Sequence, residues 1–302
     1  MVRPSHKLDL PVELEREIFE IAATTDTGTA LRLALVARRV QAWVEPIIYS
    51  RVVVAHVPEV GGGQYARAIL APRWHARGQK IARAPQIRVH RFIRTIPFRP
   101  ASFFARYVKR LHVGNLSEPE LVTVLTTCAG ISELGWSSST VTAPVAAALP
   151  ALTLRRLSVD HSFDFQFPGV PPFAALTHLD LTFHDTPYQL RIPPLEPFAA
   201  LTHFSAAYRT WQPSPTLCDD VFKARPRLKI LLLFSDQMYY DQIAGVRARH
   251  ADPRVVVMLL PVGDWTARCV HDAWPLAEDL VRERQNRAAA ERAADAAFVA
   301  DS

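Results

Sequence analysis

His178 and His203 end two copies of one heptad, PFAALTH, at residues 172–178 and 197–203. On an extended backbone, side chains two apart share a face. Asp180 would therefore join His178, and imidazole with carboxylate is the donor chemistry of zinc sites. A duplicated unit that carried its histidine along accounts for the same letters, and no metal or other cofactor is expected.

The other reactive side chains lack the spacing that catalysis needs. There is no GxxxxGK[ST] phosphate loop, no GxSxG elbow and no HExxH. Gly61-Gly62-Gly63 lacks a following Lys-Ser/Thr. The adjacent acids Asp219 and Asp220 would point apart on a helix. Cys128 lies in an apolar segment without a paired histidine, which describes a core thiol better than a nucleophile. The chain is expected not to be an enzyme.

At 302 residues, 49% apolar and 21% charged, it reads as one large globular domain or two ordinary ones. Cys128, Cys218 and Cys269 are scattered, with no CxxC, which suggests a reducing compartment, cytoplasm or nucleus. The N-terminus lacks the apolar run of a secretory signal. No stretch approaches the roughly 20 apolar residues that span a bilayer, and no membrane partner is expected. The net charge of +6 is uneven: Val60 to Ser117 holds twelve Lys and Arg and no acid. Such a block fits a solvated connector, expected over 56–103, or a nucleic-acid patch. Aromatics interleaved to stack on bases are missing, so nucleic acid is the less favoured partner.

Each heptad leads into a triplet spaced L-x-x-L-x-L, and the pattern extends both ways. The triplets are Val108/Leu111/Val113, Ile131/Leu134/Trp136, Leu154/Leu157/Val159, Leu176/Leu179/Leu181, Leu201/Phe204/Ala206, Leu228/Leu231/Leu233 and Val255/Met258/Leu260. Their first positions are 23, 23, 22, 25, 27 and 27 residues apart. Between them, 117–128 (Ser117 with Glu120 at capping-box spacing), 214–225 (with Pro215 in its first turn) and 238–250 read as helical returns. Across 104–262 the chain resembles an irregular leucine-rich-repeat protein, which implies a repeat solenoid of about seven strands in an α/β repeat fold. Its usual Asn or Cys three residues past the last leucine is missing.

Alternation predicts an outward face bearing Arg110, His112, Glu133, Arg156, Ser158, Asp160, His178, Asp180, His203 and Ser205. Arg110, His112, Glu133, Arg156, Asp160, His178, Asp180 and His203 are the candidates to face a target protein. On the last two strands the outward set turns apolar, with Ile230, Leu232 and Phe234, then Val257, Leu259 and Pro261. Such strands need a second cover. The C-terminal segment, 263–302, is expected to fold back over them with Trp265, Trp274, Leu276, Leu280 and Val281.

Residues 1–55 read as a compact helical unit. Pro11 opens a first turn, Leu14, Ile18 and Ile21 fall on one helical face, and Asp26 to Thr29 offer capping oxygens. Val40, Trp43, Val44 and Ile47 continue the periodicity until Pro46, expected to break the helix before Arg51 starts a strand. Leu10-Pro11, Glu13-Leu14, Ile18-Phe19, the run Leu31 to Val36, Arg38-Arg39, Trp43 and Pro46 to Tyr49 together resemble an F-box of fungal type. The resemblance implies a small three-helix module that docks on Skp1, and through it on a cullin ubiquitin ligase, by a surface formed or supported by Leu10, Pro11, Leu14, Ile18, Leu31 and Val36. F-box with leucine-rich repeats implies a substrate-recognition subunit. A repeat scaffold, or a nucleic-acid-associated protein using 60–117, is the other class that the residues leave open.

Overall fold

Helix α1 (Val12–Thr25) starts directly after Pro11, whose missing N–H the first turn would leave unpaired anyway. The computed structural model that gives these elements describes residues 10–55, 86–137, 142–161, 173–183, 194–208, 216–235, 245, 252–259 and 267–300. Pro215, Pro261, Trp265 and, apart from Gly245, the helix expected over 238–250 lie outside them. Asp26 caps α2 (Thr27–Leu33), accepting the Thr29 N–H at 2.7 Å, and that bond holds its carboxyl below the usual range. α3 (Arg38–Ser50) contains Pro46, correcting the expected break. The ring removes one intrahelical bond, but Val44 and Ile48 on either side of it are buried and keep the last turn helical. The three helices close on Ala23, Ala30, Val40, Val44 and Ile48, with Phe19 and Trp43 against them.

The β-branched run after α3 forms β1 (Arg51–Ala55). It is followed by β2 (Gln86–Arg88), β3 (Arg110–Gly114), β4 (Glu133–Ser137), β5 (Arg156–His161), β6 (His178–Phe183), β7 (His203–Tyr208), β8 (Ile230–Ser235) and β9 (Val255–Leu259). All are parallel in one sheet, and only β2, at the edge beyond β1, departs from chain order. Leu111, Leu134, Leu157, Leu179, Phe204 and Leu231 align in one column, and Val113, Trp136, Val159, Leu181, Ala206 and Leu233 in the next. β1 joins with Val52 beside Leu111 and Val54 beside Val113.

The register of β9 differs from expectation. Val255, not Met258, stands beside Leu231. The last triplet thus begins at Asp252, 24 residues after Leu228 (252 − 228), and a shift of three residues exchanges the faces. Val256 and Met258 therefore take the outward places expected for Val257 and Leu259. The run Val255 to Leu260 is apolar throughout and carries no alternation to set a register. Arg254 sets it instead: it donates to the Leu228 carbonyl at 2.9 Å, pairs with Asp252, and lies 4.0 Å over the Phe222 ring.

Helices α4 (Val89–Thr95), α5 (Ala101–Tyr107), α6 (Glu118–Thr127), α7 (Ala143–Ala148) and α8 (Leu217–Ala224) link the strands. Their apolar residues, among them Phe92, Phe104, Leu125, Val145 and Val221, share one core with the leucine columns. Ser117 starts α6 as expected, its backbone N–H donating to Glu120 at 3.0 Å. Neighbouring units are also stitched by hydroxyls one residue before their strands. Ser132, Thr177 and Thr202 donate to the carbonyls of Lys109, Arg155 and Thr177 at 3.4, 3.0 and 3.2 Å, in place of an asparagine ladder.

The described part of the expected connector, 86–103, belongs to this fold. It supplies β2, α4 and buried Phe92, and Phe103 meets Tyr49 of α3 edge-on at 5.1 Å. Arg99 pairs with Glu45 of α3. Among the described residues no helix is long and apolar enough to cross a membrane.

After β9, α9 (Ala267–Ala300) crosses the opposite face, touching β4, β5, β6, β8 and β9. Trp274, Ala277 and Val281 close a second core with Ala207, Ile230, Leu232, Phe234 and Val256, and Leu280 packs against it. Leu276, expected in that cover, is exposed.

Gly130 ends the turn before β4 against the backbone of α5; a Cβ there would lie 1.7 Å from the Ala105 carbonyl oxygen. Gly130→Ala should lower stability by about 1–3 kcal/mol, the usual range for overpacking, measured as a shift in urea midpoint. An unchanged midpoint would show that α5 yields freely.

Candidate functional site

Two surfaces concentrate side chains that chemistry or docking could use. The first is the sheet face opposite α4–α8. Along its outer row, register places Arg110, Glu133, Arg156, His178, His203 and Ile230 side by side. Glu133 sits between two cations, 3.0 Å from Arg110 Nε and 3.9 Å from Arg156 Nε. His112, in the next row, is half-buried. Asp160 pairs in register with Thr182, and its side chain lies outside the described residues.

His178, Asp180 and His203 correct the expectation that they face a target. They are 8%, 1% and 7% exposed. Physically, the apolar strands β7–β9 draw α9 onto this face, and its N-terminal half runs on over β6. Trp274 meets both imidazoles edge-on, at 5.4 Å from His178 and 5.3 Å from His203. The two rings stack at 4.1 Å with planes 6° apart. Each Nδ1 contacts the threonine before it, Thr177 at 2.9 Å and Thr202 at 2.8 Å. Glu278 of α9 brings a carboxylate oxygen 3.3 Å from His203 Nε2. That approach would favour an imidazolium, but burial first, then the Lys229 and Arg156 charges, push His203 down to about 4. Burial outweighs the half-exposed Glu278, so His203 is neutral near pH 7.

Asp180 lies between Ser158 and Ser205 in the next row. Its oxygens and both serine hydroxyls make no hydrogen bond of good distance and angle. Arg156, Ser205 and the Trp274 indole favour the ionised form, yet desolvation dominates and raises the carboxyl well above its usual range. Burial thus favours the protonated acid.

The second surface is the N-terminal helical unit. α1 turns Phe19 and Ala23 inward, so the stripe Leu14, Ile18 and Ile21 faces solvent. Leu10, Pro11, Leu31 and Val36 are exposed as well. Eight of the eleven exposed large apolar side chains among the described residues fall between Leu10 and Val36.

Compared with protein-family models, with curated proteins and with solved structures, the chain matches none. The site therefore stands on its own geometry. Sequence reasoning placed the histidines on one face but missed Glu278 and the threonine contacts. The repeated Thr-His pair was the one available signal for the latter, and nothing in the sequence marks Glu278.

The two buried groups pull stability in opposite directions with pH. Asp180 binds its proton more tightly when folded, so it costs stability as pH rises through the ordinary carboxyl range near 4. His203, lowered from 6.5 to about 4, costs stability as pH falls through that window. Asp180→Asn removes only the first effect. Its stability relative to wild type should climb from about pH 4 by up to about 1.4 kcal/mol per unit, read by urea unfolding across a pH series. A difference independent of pH would refute a buried neutral Asp180.

Proposed function

We propose that this chain is the substrate-recognition subunit of a Skp1–cullin–F-box ubiquitin ligase, working in the cytoplasm or nucleus. In this reading α1–α3 are the F-box-like unit, and the sheet with its returns is an irregular leucine-rich-repeat solenoid. The observation that carries it is the apolar stripe that α1 and α2 leave in solvent. A helical unit serving only to cap the sheet would bury that stripe, because its apolar area is what favours packing. An exposed cluster of this kind marks a protein-docking surface. Leu10, Pro11, Leu14, Ile18, Leu31 and Val36 are the residues assigned to Skp1.

Target recognition falls to the outer face of β3 to β5, with Arg110, His112, Glu133 and Arg156. The alternating charges there suit a polar partner surface rather than an apolar one. The mechanism is proximity: a target held beside a ubiquitin-charged enzyme reacts at raised effective concentration, with no catalytic side chain from this chain. Nucleic-acid association through 60–117 draws less support, because Arg99 and Arg110 are matched by Glu45 and Glu133.

Leu14→Ala with Ile18→Ala removes two exposed side chains and should leave the unfolding midpoint unchanged. Affinity for purified Skp1 should fall by about 100-fold, as expected when two interface anchors are truncated. A folded double variant that binds Skp1 as the wild type does would sink this function.

A further inference from the structure

His178, His203 and Glu278 come from β6, β7 and α9, and one donor atom of each lies within 4.8 Å of the other two. Each ring is oriented by the threonine before it. Thr177 Oγ1 lies 2.9 Å from His178 Nδ1 and 3.0 Å from the Arg155 carbonyl, which also accepts the backbone N–H groups of Thr177 and His178. One unit later, Thr202 Oγ1 lies 2.8 Å from His203 Nδ1 and 3.2 Å from the Thr177 carbonyl. With Nδ1 engaged in this way, Nε2 is the ring nitrogen that each imidazole can offer a ligand.

His203 Nε2 and the Glu278 oxygen stand 3.3 Å apart, close enough for one cation to take a lone pair from each. Heptad duplication explains why there are two histidines, but not why a carboxylate from α9 meets them.

We propose that His178, His203 and Glu278 bind a divalent transition-metal ion of the zinc class, which fastens α9 to the sheet. Two imidazoles with one carboxylate suit zinc, whereas magnesium and calcium prefer oxygen alone. The threonine hydroxyls act as outer partners, orienting each ring through Nδ1. Trp274 walls one side, and Glu278, 43% exposed at its side chain, leaves a path for the ion and a water as fourth ligand. The rings, parallel within 6°, turn toward each other on binding so that both lone pairs converge.

The test uses the full chain, stripped with chelator and titrated with zinc by calorimetry. One zinc per chain is expected, with Kd of about 1 μM or tighter, and the thermal midpoint should rise with zinc by linkage. Magnesium and calcium at the same concentrations should give neither effect. Glu278→Gln alters a half-exposed side chain at the margin of the α9–sheet contact and should keep the fold, yet weaken zinc by at least about tenfold and abolish the thermal shift. His203→Gln should weaken it further, and tetrahedral cobalt absorption should appear in the wild type alone. Absence of zinc binding, or binding unchanged in Glu278→Gln, would overturn the site. Because both are read without Skp1, neither outcome bears on the docking function.

Discussion

A parallel sheet laid down in chain order has to carry the chain back after every strand, and those returns lie on one face. Here α4–α8 and the turns between them cover the leucine columns, while the opposite face receives no return segment. That asymmetry governs the rest of the molecule. From β3 to β5 that face carries Arg110, Glu133 and Arg156, whose charges alternate across the strands. From β7 to β9 it is apolar and has to be shielded, and the shield is a helix from the far end of the chain. The strip between these regimes, from β5 to β7, holds polar groups beneath a hydrophobic lid. Buried histidines, buried Asp180 and the hydroxyls of Ser158 and Ser205 all belong to that seam.

The sequence was legible wherever local periodicity and unit spacing agreed. The columns from Leu111 to Leu231 obey both a two-residue alternation and a spacing of 22–27 residues, so six strands could be read from letters. It was illegible where either signal failed. The apolar run of β9 offers no alternation, and a guanidinium bonded to the previous unit decides its register. In 86–107 the twelve-cation stretch hid the pattern of Phe92, Phe103 and Phe104, which tie that segment into the core. Burial of His178, Asp180 and His203 depends on the path of α9, which no local pattern encodes. The exposed stripe on α1 was visible as helical spacing, but only packing shows that it faces out.

The N-terminal helices hold a small core of their own and meet the sheet through α3. That helix runs without a break into β1, and Tyr49 stacks edge-on against Phe103 and Phe104 at 5.1 and 5.8 Å. With Glu45 paired to Arg99, the junction is both covalent and packed. In the proposed adaptor this fixes the docking stripe relative to the charged sheet face, so a bound target would be presented at a set distance rather than on a tether.

The cover supplied by α9 also sets a schedule for synthesis. The apolar outer face of β8 leaves the ribosome at Ile230, but its partners extend to Val281, 51 residues later (281 − 230). At about 5–20 residues per second, that interval lasts roughly 3–10 seconds. Throughout it, a growing edge of parallel sheet displays Ile230, Leu232, Phe234 and then Val256 to water. Nascent chains of this protein thus pass through an obligatory sticky stage, and the cell's chaperones, rather than the finished fold, must guard it then.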